Sequence, residues 1–243
     1  MKSKKDGVIV DYRADKDIIS NLEKFGLEVI LSCKNESVLP ALWGHPDMQV
    51  CKCSDNTFVA CPECYDYYKK ELYGFGVDVY KGKSFLSSNY PKDIAYNVAR
   101  IGDTAVHNFS YTDSEILCHF KVNHVNLINV SQGYSKCNIC VVSDNAIITS
   151  DKGIYDAVVK DSIEALLICD GNIDIFGWEY GFIGGASGKI GNDVLAFCGD
   201  LSKHENFCEI QSFCKKFNVK CVSLSDKRLM DLGSVIYIKN QFV

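Results

Sequence analysis

Five times along the chain a pair of Asp, Asn or Gly residues leads into a short β-rich run: "DGVIVDY" from residue 6, "DNTFVAC" from 55, "GDTAVHN" from 102, "DNAIITS" from 144 and "GNDVLAF" from 191. The starts lie 49, 47, 42 and 47 residues apart. Such pairs suit the tight turn of a β-hairpin, and recurrence at a nearly fixed period describes an architecture before it describes a function. After four of the runs the apolar residues take helical spacing, in "DKDIISNLEKFG", "PECYDYYKKELYGFG", "DKGIYDAVVKDS" and "KHENFCEIQSFCKKF". The counterpart in the third unit, "YTDSEILCHFKVN", reads as shorter and weaker. A further strand follows each helix: "LEVILSC", "VDVYKG", "VNLINV", "EALLICD" and "VKCVSL". The unit is thus strand, hairpin, strand, helix, strand, with repeats near 6–50, 51–98, 99–140, 141–187 and 188–243 of a single α/β domain.

One such unit cannot bury both faces of its sheet, so the five must pack side by side. The first repeat lacks a strand ahead of its hairpin, while "GSVIYIKN" at the other end is a strand with no helix after it. Pairing the last strand beside "GVIVDY" would close a ring and remove the exposed edges of an open array.

Composition bounds the function classes. The chain is 47% apolar, enough for a sizeable core, and no run approaches the roughly 18 apolar residues of a membrane span. The N-terminus turns acidic after four apolar residues, too soon for a secretory signal, so a cytoplasmic protein is expected. Thirteen cysteines is an odd number in a long chain, and most sit in apolar strings such as "LLICD" and "VLAFCGD", where a free thiol behaves as a small hydrophobe. Net charge is −5, only Arg13, Arg100 and Arg228 are arginines, and there is no basic run beyond the first five residues, which argues against nucleic acid as a partner.

Five ββαβ units in a ring resemble the pentein, or guanidino-group-modifying enzyme, fold: the five-bladed β/α-propeller of arginine deiminases, agmatine deiminases and dimethylarginine hydrolases. More narrowly, "HPDM", "YPKDIAYNVARIG", "QGYSKC", "GFIGGASG" and "DLGSVIYI" resemble an uncharacterised bacterial family assigned to that fold.

In a ring of this kind the strand ahead of each hairpin lies nearest the axis, and its polar residues line a central pocket. Those segments supply His45 and Asp47, Asn97 and Arg100, Gln132, Lys136, Cys137 and Asn138, Glu179, and Asp231 and Ser234. Guanidino chemistry needs a thiolate to attack the guanidinium carbon, a histidine to move protons and carboxylates to hold the cation. His45-Pro46-Asp47 resembles the family's histidine-x-aspartate strand, and Asp231 or Glu179 offers another carboxylate. The family's catalytic cysteine follows a glycine and a histidine in the last inner strand, whereas this chain reads Gly233-Ser234-Val235-Ile236-Tyr237. The expectation is therefore a pocket that binds a small cationic guanidino or amidino compound without ordinary deiminase catalysis. The alternative is an amidinotransferase- or hydrolase-type enzyme with a relocated cysteine, Cys137, working with His45. If residues 136 and 137 lie on a strand they face opposite sides, and Lys136 does little for the thiol.

Two motifs are set aside. Cys51, Cys53, Cys61 and Cys64 have zinc-like spacing, but the repeat puts the two pairs at opposite ends of a hairpin arm, and neither a metal nor another cofactor is expected. The glycine-rich "GFIGGASGKIG" is followed by a strand and so lacks the helix N-terminus of a phosphate loop; its glycines are read as letting backbones approach near the axis.

Overall fold

The structure is a computed structural model that describes residues 5–242. Of the N-terminal basic run only Lys5 is among them. The first repeat runs β1 (Gly7–Val10), α1 (Lys16–Lys24) and β2 (Glu28–Leu31). The second has a one-turn helix α2 (Pro46–Gln49), then β3 (Val50–Lys52), β4 (Thr57–Ala60), α3 (Tyr65–Leu72) and β5 (Asp78–Lys81). The third is β6 (Ala99–Ile101), β7 (Thr104–His107), α4 (Ser114–Val122) and β8 (Asn126–Asn129). The fourth opens with the one-turn helix α5 (Ser135–Asn138), followed by β9 (Cys140–Ser143), β10 (Ala146–Thr149), α6 (Lys152–Lys160) and β11 (Glu164–Leu167). The fifth is β12 (Ser187–Lys189), β13 (Val194–Phe197), α7 (Phe207–Lys216) and β14 (Lys220–Ser223), and β15 (Ile236–Ile238) ends the order.

These strands form five three-stranded sheets of one pattern, in which a central strand pairs antiparallel with the strand before its hairpin and parallel with the strand after its helix. In the first sheet the antiparallel partner comes from the other end of the chain: Gly7, Val8 and Ile9 face Ile238, Tyr237 and Ile236. The terminal strand thus takes the position the first repeat leaves open. Each of α1, α3, α4, α6 and α7 buries one pair of residues four apart, Ile18 and Leu22, Tyr68 and Leu72, Ile116 and Phe120, Ile154 and Val158, Ile210 and Cys214. That spacing puts both on one helix face, and each large apolar side chain so buried contributes roughly 1.5–3 kcal/mol.

The third repeat corrects its sequence reading. α4 is nine residues, as long as α1 and α6. Its start is fixed by Asp113, whose side chain accepts from Glu115 N–H while its other oxygen accepts from Lys83 and Ser84 N–H of the preceding loop. The capping signal is local, but its second use is tertiary. No helix among the described residues is long and apolar enough to cross a membrane.

Candidate functional site

The segments just ahead of β3, β6, β9 and β15 converge, though not as strands. Asp47 and Cys137 each sit in a single helical turn, α2 and α5, and both turns are held by distant backbone and side-chain groups. Asp47 N–H donates to Gly233 O at 3.2 Å, and Lys136 N–H and Cys137 N–H both donate to Asn97 Oδ1, at 2.8 and 3.2 Å. Four-residue helices cannot sustain themselves, so the long-range bonds define them.

Within this knot Cys137 Sγ donates to Asp47 Oδ2 at 3.3 Å and accepts from Asn97 Nδ2 at 3.1 Å. Ser234 Oγ lies 2.7 Å from the same Asp47 oxygen and 3.0 Å from Gly184 O, while Lys136 Nζ donates to Ser234 Oγ at 2.8 Å. The helical turn corrects the strand geometry: Lys136 is not turned away but reaches Asp47 through one hydroxyl. Ser234 holds φ +73°, a left-handed conformation that costs a non-glycine residue on the order of 1–3 kcal/mol and is held by those bonds. On the other side, Asp231 accepts from Phe182 N–H at 2.9 Å and Gly233 N–H at 3.0 Å, and its Oδ1 is 3.8 Å from His45 Nδ1. His45, Asp47 and Cys137 bring three donor atoms within 4.8 Å of one another, and they are the one such group of His, Cys, Asp and Glu among the described residues.

Burial decides the charge states. It pushes His45 down to about 3, with help from the Arg13 charge, and pushes Asp231 up to about 7, with help from Asp47. The His45–Asp231 contact therefore joins a neutral imidazole to a carboxyl that titrates near neutrality, and is not an ion pair. Burial also raises Asp47, against the opposing pull of Lys136, and raises the Cys137 thiol well above its usual range, with Asp47 and Asp231 adding to the effect.

The glycine-rich segment permits this packing. A Cβ on Gly185 would come within 2.0 Å of Asp231 Oδ1, and one on Gly184 within 2.4 Å of Lys136 O. At Gly184 the backbone lies against backbone carbonyls, and at Gly185 against the Asp231 carboxylate, where a side chain would otherwise stand.

Asp47 and Lys136 also border a cavity of about 160 Å³ that reaches β3, β6, β9, β12 and β15. Lys52, Arg100, Val141, Lys189 and Tyr237 line it, facing Phe58, Ala105, Ile147, Leu195 and Val8 on the antiparallel partner strands. Each of those partners is the second residue of its central strand, so the five lining positions are equivalent by register. Three of them are cations. The sequence points to carboxylates holding a cation and singles out only Arg100 of this set; the signal for the other two is that Lys52 and Lys189 stand at the same repeat position as Arg100.

The remaining expected residues separate. Glu179 is exposed in a bend, in the irregular segment that precedes β12. Gln132 is spent on Asp151 and Tyr134 N–H, and Asn138 Nδ2 donates to Tyr134 O. Asn97 has both amide atoms committed, to Asp47 O and Cys137 on one side and to the α5 backbone on the other. Arg100 donates to Gly102 O and lies 5.1 Å from the Phe120 ring centroid, leaving Nη1 buried without a partner.

Residues 9–236 match the family described as a family of unknown function, DUF6873. No curated protein matches the sequence. Among solved structures, an inosamine-phosphate amidinotransferase from Streptomyces griseus superposes with a TM-score of 0.59 at 11% identity, covering 99% of this chain and 96% of that one. The dimethylarginine dimethylaminohydrolase of Pseudomonas aeruginosa, complexed with citrulline, gives 0.57 at 7% identity, covering 91% of this chain and 92% of that one. A saxitoxin-pathway amidinotransferase from Microseira wollei gives 0.55 at 10% identity, covering 93% and 91%. At these identities the likeness is one of fold: the chain is a mixed α/β protein similar to the pentein proteins, and its five small sheets fit five repeats.

Proposed function

For this chain, which belongs to the DUF6873 family of unknown function, we propose a pocket that binds a small compound through a cationic guanidino or amidino group. The observation that carries this reading is Asp47: it borders the shared cavity, and its Oδ1 is buried without a hydrogen-bond partner. A buried, unpaired carboxylate oxygen costs about 1–3 kcal/mol, and an N–H fork from a guanidinium removes that cost. Lys52, Arg100 and Lys189 at the equivalent positions favour a ligand whose far end is anionic. The five sheets are read as blades of a closed five-bladed β/α-propeller, with the β1–β15 pairing as its seam and the cavity on its axis. The free cysteines suit a reducing compartment, the bacterial cytoplasm.

A second reading has its own support. Cys137, His45 and Asp47 stand together, as nucleophile, proton carrier and orienting carboxylate would. Burial does most to hold the thiol protonated and the two carboxylates add to it; a cation seated at Asp47 would offset that second contribution and shift the thiol toward the thiolate. Turnover at ordinary deiminase rates is not expected, because the terminal inner strand carries Tyr237 and no cysteine.

The test is a thermal-shift screen of arginine, agmatine, methylated arginines and simple amidines in the presence of chelator. A binder at about 100 times its Kd stabilises by about 2.7 kcal/mol, which for a chain of this size raises Tm by roughly 5–10 °C. Asp47→Asn combined with Asp231→Asn should abolish the shift in a protein that still folds. If no guanidino or amidino compound moves the melt, or only fully anionic compounds do, the reading is wrong.

A further inference from the structure

His45, Asp47 and Cys137 supply one nitrogen, one oxygen and one sulfur donor, all buried, within 4.8 Å of one another. Their bonding capacity is not used up. Neither ring nitrogen of His45 has a hydrogen-bond partner, and neither does Asp47 Oδ1. Three orphaned atoms in one buried cluster is a concentration that needs a cause, since buried polar atoms are nearly always satisfied.

The spacing suits coordination. Sulfur and oxygen ligands on one tetrahedral zinc lie roughly 3.5 Å apart, from bond lengths of about 2.3 and 2.0 Å; Cys137 Sγ and Asp47 Oδ2 are 3.3 Å apart. The turns that carry the two donors are pinned by Gly233 O and Asn97 Oδ1, and the Asn97 amide and Ser234 hydroxyl supply outer contacts to the sulfur and the carboxylate. Asp47 borders the axial cavity, which gives an ion a route in. An aspartate and a cysteine thiolate together balance a dication, whereas buried unpaired they would be expensive.

We propose that His45, Asp47 and Cys137 form a binding site for a divalent cation of the zinc class. Thiolate and imidazole donors select zinc or cobalt over magnesium and calcium, and three protein ligands leave a fourth position toward the cavity. This site uses the residues of the proposed pocket but does not depend on the guanidino reading.

Chelator-treated full-length protein is titrated with cobalt(II) as a spectroscopic stand-in and then with zinc. One equivalent of cobalt should give a near-ultraviolet thiolate band and the visible bands of a four-coordinate ion, both displaced by zinc. Cys137→Ser should remove the thiolate band and weaken zinc by more than the roughly 10–100-fold that loss of a supporting contact costs. Cys51→Ser with Cys64→Ser should leave both unchanged. Because Cys137→Ser can disturb folding, X-ray absorption at the zinc edge of the unmutated protein provides an independent reading, with a single sulfur neighbour expected. Absence of a thiolate band, a band that survives in Cys137→Ser, or two or more sulfurs at the edge would overturn the assignment. The amidine screen is run in chelator, so failure of the metal site and failure of the guanidino pocket are read separately.

Discussion

Replacing Asn97 with alanine removes the amide that ties three segments of the site together. Its Nδ2 donates to Asp47 O at 3.3 Å and to Cys137 Sγ at 3.1 Å, and its Oδ1 accepts from Lys136 N–H at 2.8 Å and Cys137 N–H at 3.2 Å. Lys136 N–H keeps a second acceptor, Asn97 O at 3.1 Å, so it is not stranded. The Cys137 N–H and the Asp47 carbonyl each lose this partner in a site where Asn97 itself is fully buried. At about 1–3 kcal/mol for each orphaned group, the loss is about 4 kcal/mol. With 2–4 °C per kcal/mol for a chain of this size, Tm should fall by roughly 8–16 °C in scanning calorimetry. Asn97→Asp sharpens the test. A carboxylate keeps the acceptor for both backbone N–H groups but sets a second oxygen against Asp47 O and the sulfur. Its deficit relative to the native chain should therefore shrink in acid, as the carboxyl gains a proton and becomes a donor again. An alanine variant melting within about 2 °C of the native chain would show that α5 is held by something other than this amide, and the account of how Cys137 is positioned would fail.

Deleting residues 233–243 removes β15 from its place beside β1, together with Ser234; the truncated chain should aggregate or lose cooperative unfolding, and an unchanged sharp melt would refute the seam. Gly185→Ala would put a Cβ 2.0 Å from Asp231 Oδ1, a carboxylate fixed by two backbone N–H groups, whereas Gly191→Ala meets nothing within 4 Å and bears only its φ of +93°. Denaturant titration should find the first costlier than the second, with overpacking adding about 1–3 kcal/mol, and equal costs would contradict the close approach. His107 is buried, bonded to Thr112 Oγ1 and Gly133 O, and lowered by burial to about 4 from 6.5. A depressed folded value means the unfolded chain binds the proton first, so the stabilisation, roughly 3 kcal/mol, is present above pH 6.5 and is lost as pH falls toward about 4. His107→Gln should make that acid slope shallower, and an unaltered slope would count against the assignment.

The architecture was readable because its signals are local. Each hairpin turn, each helix with its buried pair four apart and each parallel return strand is encoded within one repeat, and the empty place beside β1 could be matched to the orphan "GSVIYIKN" by elimination. The site was readable as a set of residues but not as geometry. His45, Asp47, Cys137, Asp231 and Ser234 do come together, yet α2 and α5 are single turns whose form depends on Gly233 O and Asn97 Oδ1, groups with no sequence proximity to either. Glu179 was misplaced for a related reason: its segment is apolar-rich like a strand, but Asp174 N–H and Gly181 N–H are drawn off to Leu229 O and Ile173 O, which folds it into a loop.

Register separates structural polar residues from those free to do chemistry. The third residue of each central strand, Ile9, Val59, Val106, Ile148 and Ala196, faces Ile236, Cys51, Ala99, Cys140 and Gly188. Two residues before those five positions stand Ser234, Gln49, Asn97, Asn138 and Ala186. Four of the five are buried polar side chains, and all four bond to backbone carbonyls: Gln49 to Cys33 O and Trp43 O, Asn97 to Asp47 O, Asn138 to Tyr134 O, Ser234 to Gly184 O. A polar residue that recurs in the repeat and spends its bonds on backbone is part of the frame, which satisfies the chain where it turns inward. His45, Asp47, Cys137 and Asp231 have no counterparts of their kind at the matching positions of the other repeats. Of these, His45 and Asp47 hold the atoms left without partners, Cys137 Sγ bonds only to Asp47 and Asn97, and Asp231 alone also serves the frame through Phe182 and Gly233 N–H; it is on these four that the ligand and metal experiments bear.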